Sequence, residues 1–441
     1  MKIPEAGWLS LGHNQQPLVF VPLKRYQNRT YPDMLPVILG SRTPAQIAVR
    51  HSPFNNDSPL YTPARVKQVA EKKYQIGPFI GILTTDEGKP FGGNHNNFAD
   101  LIRMGRTMGV TVFVLTPKSL QSNESTIPGY LLDHRSGNIR WLPARLPIPD
   151  VVYNRIPSRK SEQSKTVQAA IHKLKHHLRV HFFNPGFFNK WTLYQHLLES
   201  EELKSFVPES VRFQSPKALK QMLARYPFLY LKPVDGKAGI GIMRISAQQQ
   251  RYEIIHQSMR SKKKYFPSSP DSLWSIIQKL CQKRPYVLQQ GIPLATYHGR
   301  PFDVRMLLQK DGTGRWGLTG AGVRVAGDTA ISTHVPMGGR IENIHTVLKA
   351  VFGMNQEAVY RRIEEIGLRI AKFIESKQPS QLGEMSIDLG VEPNGKMWFF
   401  EANAKPMKFD EPEIRARSLR KLIEYSLYLS GYKPVLRGVS S

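Results

Sequence analysis

Two stretches of this chain carry residue types that could handle phosphate and a metal ion. The first, "FLYLKPVDGKAGIGI" over 228–242, opens as an apolar strand, mounts Lys232 near its end and runs into Gly236, Gly239 and Gly241. Strand alternation puts Lys232 on one face with Phe228 and Tyr230. Glycines let the following backbone approach a ligand and aim N–H groups at it. A lysine beside bare amides suits a polyphosphate, at about 1.5–3 kcal/mol for a charge-assisted contact. The lysine precedes the glycines and no Gly-Lys-Ser/Thr opens a helix, so neither a Walker loop nor a kinase loop is present. A glycine-rich hairpin with a surface lysine is the alternative.

The second stretch, "EMSIDLGVEPNGKMWFFEANAKP" over 384–406, reads as two strands around Asn394-Gly395, a strong hairpin signal. With those two residues as the loop, Pro393 faces Lys396. Asp388 then falls opposite Glu401, and Ser386 opposite Asn403. Ile387, Leu389 and Val391 turn the other way, into a core. Directly opposed carboxylates have Cβ atoms about 4.5–5.5 Å apart and repel, so a cation belongs between them. Asp388, Glu401 and Asn403 form an all-oxygen set, which suits magnesium and its phosphate ligands better than zinc. A one-residue slip would spoil the pairing, and an exposed hairpin with solvated charges is the competing reading.

Between these stretches lie three further strands, "PYVLQQGI" (285–292), "FDVRMLLQ" (302–309) and "LTGAGVRVA" (318–326). Asp303 and Arg305 share a face of the second, and Arg324 sits on the third. Arginines beside a metal pair suit developing phosphate charge, although any one alone is more often a surface residue.

Other elements must hold these residues in place. "FIGILT" from Phe79, a polar loop with Gly92 and Gly93, the helical spacing of Phe98, Leu101, Ile102, Gly105 and Met108, and "VTVFVLT" make one βαβ unit, which implies a parallel sheet. Asp150–Ile156 adds a strand. The loop at Gly92 and Gly93 lacks the dinucleotide fingerprint, which favours plain loop chemistry there over a phosphate site. Residues 1–75 alternate short apolar runs with Pro, Asn and Gly, which suggests short strands or a small barrel. Gln356–Glu375 places Val359, Ile363, Ile366, Ile370 and Ile374 on one packing stripe. His172, His176, His177 and His181 lack a nearby Cys or acid and read as part of a basic exposed helix.

The 441 residues allow two or three domains. A lone Cys281 excludes an internal disulfide and reads as a small buried hydrophobe. The start of the chain lacks a signal-peptide core, and no apolar run is long enough to span a bilayer, so a cytoplasmic protein is expected. The 62 basic against 34 acidic residues give +28, a charge that must attract anions. No nucleic-acid module accompanies it, which disfavours a nucleic-acid partner.

Lysine strand, glycine loop, polar pair, Asp-x-Arg strand and Asp…Glu-x-Asn, in that order, resemble the ATP-grasp superfamily, most of all its YheC/YheD-type members described as endospore coat-associated. The resemblance covers about Gly186 to the carboxyl end. It implies an α/β and α+β chain: a β-rich segment at 1–75, a Rossmann-like preceding domain at 76–185, and an ATP-grasp domain of two α+β subdomains at 186–441. It implies ATP between those subdomains, with Lys190 and Lys232 on the phosphates. Gln289, Gln290 and Ile292 would line the adenine, and Asp303 would reach the ribose. Arg305 and Arg324 would meet phosphate or substrate, while Asp388, Glu401 and Asn403 would hold two magnesium ions, or manganese. Two glutamines stand where an acidic hinge residue is common.

The expected activity is ATP-dependent ligation of a carboxylate to an amine or thiol through an acylphosphate, linked to the spore coat. The alternative is a non-catalytic nucleotide-binding or structural coat protein that holds an acidic polymer or other coat proteins. The carboxylate and the acceptor are not legible.

Overall fold

The computed structural model describes residues 3–11, 18–26, 28, 30–50, 61–178, 180–234, 239–248, 251–258, 261–282, 284–327, 331, 333 and 338–433. Gly236, expected beside the phosphates, lies outside them.

Six short strands, from Ala6–Ser10 to Lys73–Gly77, close into a barrel. Closure removes the edges that such short strands would otherwise expose. The next sheet has six strands. Phe79–Leu83 pairs in parallel with Thr111–Leu115 on one side and with Val151–Asn154 on the other, and the latter pairs in parallel with His181–Phe183. The three central strands, Phe79–Leu83, Thr111–Leu115 and Val151–Asn154, are buried on both faces, as a parallel sheet covered on both sides requires. Ile80 and Ile82 pack with Phe98 and Ile102 of the helix His95–Thr107, and Phe79, Leu83 and Phe113 pack with barrel residues such as Leu9 and Phe20.

The first of these faces is completed from far away in the chain. Leu419, Leu422 and Ile423 of the last helix, Pro412–Leu429, join the same cluster.

Two more sheets follow. One is antiparallel and runs from Ser210–Arg212 through Tyr286–Gln290 and Phe228–Pro233 to the edge strand Lys262–Tyr265. Leu229 and Leu231 turn to the helices Pro216–Arg225 and Pro270–Cys281, which frees Phe228, Tyr230 and Lys232 for the opposite face. Cys281 is in that core, its thiol pushed up to about 12 by burial, so it packs rather than reacts. The last sheet is built on Arg300–Lys310, flanked by Trp316–Val325 and Glu384–Val391, with Met397–Asn403 beyond. Val304, Met306, Ile387 and Leu389 face the helix Gln356–Ser376, whose Val359, Ile363, Ile366, Ile370 and Ile374 are buried as the stripe requires. The other face carries Asp303, Arg305, Arg324, Ser386 and Asp388.

Among the described residues, no helix is long and apolar enough to cross a membrane. The His172 and His176 rings lie tilted with centroids 4.6 Å apart, and no group of three or more His, Cys, Asp or Glu among the described residues could hold a metal ion.

Candidate active site

A cavity of about 410 Å³ opens between the free faces of the last two sheets, within the range of small-molecule sites. Lys232, Gln289, Gln290, Ile292, Asp303, Arg324, Asp388, Glu401, Lys190 and Gly239 all line it. Residues from Lys190 to Glu401 thus share one space. Tyr230, Ile242, Leu294 and Phe400 line it too, and Lys232 Nζ lies 5.7 and 5.3 Å from the centres of the Tyr230 and Phe400 rings.

Asp388 does face Glu401, and Ser386 faces Asn403. The route to that register differs from the expected one. Glu392 N–H donates to Lys396 O, and Gly395 N–H donates to Glu392 O. The loop is therefore Pro393–Asn394–Gly395, three residues rather than two, with Gly395 at φ +80°. Leu389, Gly390 and Val391 consequently pair one position off the expected register, with Phe399, Trp398 and Met397. A bulge between Asp388 and Leu389 then inserts Phe400 and restores the alignment. Two one-residue offsets cancel. The bulge also turns Phe400 toward the cavity while Phe399 stays in the core, as bulges beside functional sites commonly do.

The protein's own cations sit at the opposed acids. Lys190, first residue of the helix Lys190–Leu198 and placed by the Asn189 cap, donates from Nζ to Glu401 Oε2 (2.8 Å). Arg324 Nη2 lies 2.8 Å from Asp388 Oδ2, and Arg305 Nη1 lies 4.0 Å from Oδ1. Asp388 is only 1% exposed, and neither of its oxygens accepts an aligned hydrogen bond. Burial raises its pKa to about 6, with Arg324 and Arg305 opposing. A buried carboxylate whose lone pairs are not committed to donors is a fitting ligand for a hard cation. Glu401 and Asn403, which are joined by Asn403 Nδ2 donating to Glu401 Oε1 (3.2 Å), complete an all-oxygen set.

Lys232 donates from Nζ to Gln289 Oε1 (2.6 Å), and Gln289 Nε2 donates to Ser210 Oγ (3.0 Å). Burial pulls the Lys232 pKa down to about 8, with Glu401 opposing and Lys190 adding to the shift. A cation this poorly solvated gains from an incoming polyphosphate.

Several of the expected site residues also have partners within the protein. Gly241 N–H donates to Gln257 O (2.8 Å), and φ is +80° there; this glycine makes a turn and its amide is not offered to a ligand. Gln290 turns its side-chain oxygen to the Glu209 N–H (3.2 Å), and Gln289 holds Lys232, so the glutamine side chains brace the pocket. Asp303 has both oxygens engaged, by Arg324 Nε and Nη2 (2.8 and 2.7 Å) and by Thr333 Oγ1 (2.6 Å). Arg324 in turn is buried between Asp303 and Asp388. Burial alone would weaken its charge, but the two acids more than offset that and raise its pKa. Arg305 stands apart, with Nη2 donating to Ser386 Oγ (3.4 Å) and its guanidinium 5.8 Å from the Phe409 ring.

Phe400 and Thr333 had no sequence signal strong enough to single them out. The consecutive aromatics of "WFFEAN" are the one hint, since strict alternation would bury only every second side chain.

The chain matches the model of a family described as YheC/D like ATP-grasp over residues 179–429. It is 28% identical over 365 residues to the endospore coat-associated protein YheD of Bacillus subtilis (strain 168), covering 80% of this chain and 79% of that protein. The match to YheC of the same organism is 19% over 308 residues, covering 70% and 84%. Among solved structures, D-alanyl-alanine synthetase A from Vibrio cholerae O1 biovar eltor aligns with a TM-score of 0.46 at 12% identity, covering 80% of this chain and 98% of that one. The family match spans more than half of the chain and takes in the lysine strand, the Asp-x-Arg strand and the carboxylate hairpin, and so the chain is a member of the YheC/D-like ATP-grasp family.

Proposed function

We propose that this protein is an ATP- and magnesium-dependent ligase joining a carboxylate to an amine or thiol, acting at the spore coat as the descriptions of its relatives suggest. The observation carrying this reading is the buried, hydrogen-bond-poor Asp388 opposite Glu401, in a cavity also lined by Lys190 and Lys232. Asp388, Glu401 and Asn403 would hold the metal, which would neutralise phosphate charge and orient the oxygens. Lys190 and Lys232 would grip the phosphates, and the apolar part of the cavity would take the base, with backbone groups near Gln289–Ile292 reading its edge.

In the reaction, a substrate carboxylate oxygen attacks the γ-phosphorus and the bond to the departing ADP breaks. The amine or thiol then attacks the acyl carbon, inorganic phosphate leaves, and the nucleophile gives up its proton. Arg305, 4.0 Å from Asp388 Oδ1, would meet the acylphosphate, and Arg324 would orient Asp388. Residues 76–185 form the preceding domain and 186–441 the ATP-grasp domain in this reading, with 1–75 as an appended unit.

The experiment is calorimetric titration with ATP, with and without magnesium, of the native chain, Lys232→Ala and Asp388→Asn. Magnesium-dependent binding that weakens in both variants supports the reading, and ADP release on adding a carboxylate and an amine would complete it. Binding without any turnover across a broad screen of acceptors would favour the non-catalytic coat role instead.

A further inference from the structure

Glu162 lies outside the matched family region, in the short helix Arg159–Glu162 that follows the strand Val151–Asn154. Its carboxylate is a junction. Oε1 accepts from Lys405 Nζ (2.5 Å) and Asn154 Nδ2 (3.2 Å), and Oε2 accepts from the Phe187 N–H (3.0 Å). A Cβ at Gly186 would come within 3.2 Å of Oε2, so the chain passes close against it. Lys405 has a side chain only 3% exposed, and its Nζ also lies 3.3 Å from Ile156 O and 4.6 Å from the centre of the Phe187 ring.

These contacts form a ring with the nucleotide site. Three residues beyond Phe187 is Lys190, whose Nζ is 2.8 Å from Glu401. Four residues beyond Glu401 is Lys405, which returns to Glu162. Two ion pairs are thus tied together by two short lengths of backbone. The start of the Lys190 helix and the end of the carboxylate strand cannot shift independently while Glu162 holds both.

We infer that Glu162 and Lys405 are positioning residues, through which the preceding domain sets the distance between the phosphate lysine Lys190 and the metal-side carboxylate Glu401. This rests on the nucleotide reading above and adds to it a requirement for a residue outside the ATP-grasp region. Neither side chain lines the nucleotide cavity, so any effect on ligand must pass through Lys190 and Glu401.

The test compares magnesium-ATP with adenosine as probes, by calorimetry, on the native chain, Glu162→Gln, Lys405→Met and the double variant. Each single change leaves a buried charge without its partner, which can itself cost stability; the double variant removes that complication. Outer-shell partners of ligating groups typically matter by about 10–100-fold. The expected result is a roughly tenfold loss of magnesium-ATP affinity in all three variants, with adenosine affinity within about twofold of native and the double variant melting near the native temperature. Native magnesium-ATP affinity in the double variant, or equal losses for adenosine and magnesium-ATP, would overturn the inference. Absence of magnesium-ATP binding by the native chain would instead sink the nucleotide reading on which it depends, and that outcome is seen before any substitution is made.

Discussion

At the scale of single residues, the site is a set of charges that burial has destabilised and that a ligand would relieve. Lys232 is held near 8 chiefly by burial, and Asp388 near 6 for the same reason. The signs are opposite in effect. Lys232 carries its charge below about 8 and loses it as pH rises, whereas Asp388 is ionised above about 6 and loses its charge as pH falls. Magnesium-ATP affinity should therefore peak between those values and fall on both sides. Titrations from acid to alkaline pH check this, and Lys232→Arg, which stays charged, should flatten the alkaline limb; an unchanged limb would assign it to another group. Glu401→Gln should lower magnesium-dependent ATP binding on the order of 100-fold, with thermal unfolding near native because the Glu401 side chain is already 21% exposed. The paired carboxylates were legible because Asn-Gly marks a hairpin, and because the longer loop and the bulge shift the register in opposite senses. The fork of Arg324 on Asp303 was not, since the 21 residues separating them say nothing about which partner a buried guanidinium will choose.

At the scale of elements, the carboxylate hairpin is the instructive case. The sequence indicated the right facing pair through the wrong turn, because a longer loop and a bulge shift the register by one residue each, in opposite senses. Local turn chemistry reports only the residues it contains; a bulge depends on what the cavity asks of Phe400. Gly395 at φ +80° is the position that the three-residue loop depends on. Gly395→Ala should cost about 1–2 kcal/mol in chemical denaturation, and Gly395→Asn less, because asparagine tolerates that conformation. Equal losses for both would mean that contacts of the loop, rather than backbone handedness, set its stability. The long helix Gln356–Ser376 was readable almost to the residue from its apolar stripe, since one amphipathic period over 21 residues leaves little room for another assignment.

At the scale of the whole molecule, the unexpected feature is that the final helix packs on the first parallel sheet. Nothing in the amphipathic pattern of Pro412–Leu429 names the sheet it will cover, because apolar stripes are interchangeable until the fold is known. Ile423 is fully buried in that contact. Ile423→Ala should cost about 2–5 kcal/mol, and the loss should appear as a shift of the unfolding transition reported by the first sheet's own residues, for example through Trp141 fluorescence. A transition at Trp141 that stays in place would mean that the sheet is stable without the helix. The +28 charge belongs to this scale too. It is spread over many elements, and part of it is spent internally, as at Lys190, Arg324 and Lys405.

The same packing bears on synthesis. The last parallel strand, His181–Phe183, emerges about 230 residues before Pro412–Leu429 begins to be made. At roughly 5–20 residues per second the ribosome takes on the order of 10–50 s to cover that distance. For all that time Ile80, Ile82 and Val114 have only the helix His95–Thr107 beside them on a face that the finished protein shares with a second helix. The newborn chain must wait with that patch open, and exposed apolar surface of this kind makes an unfinished chain prone to aggregate.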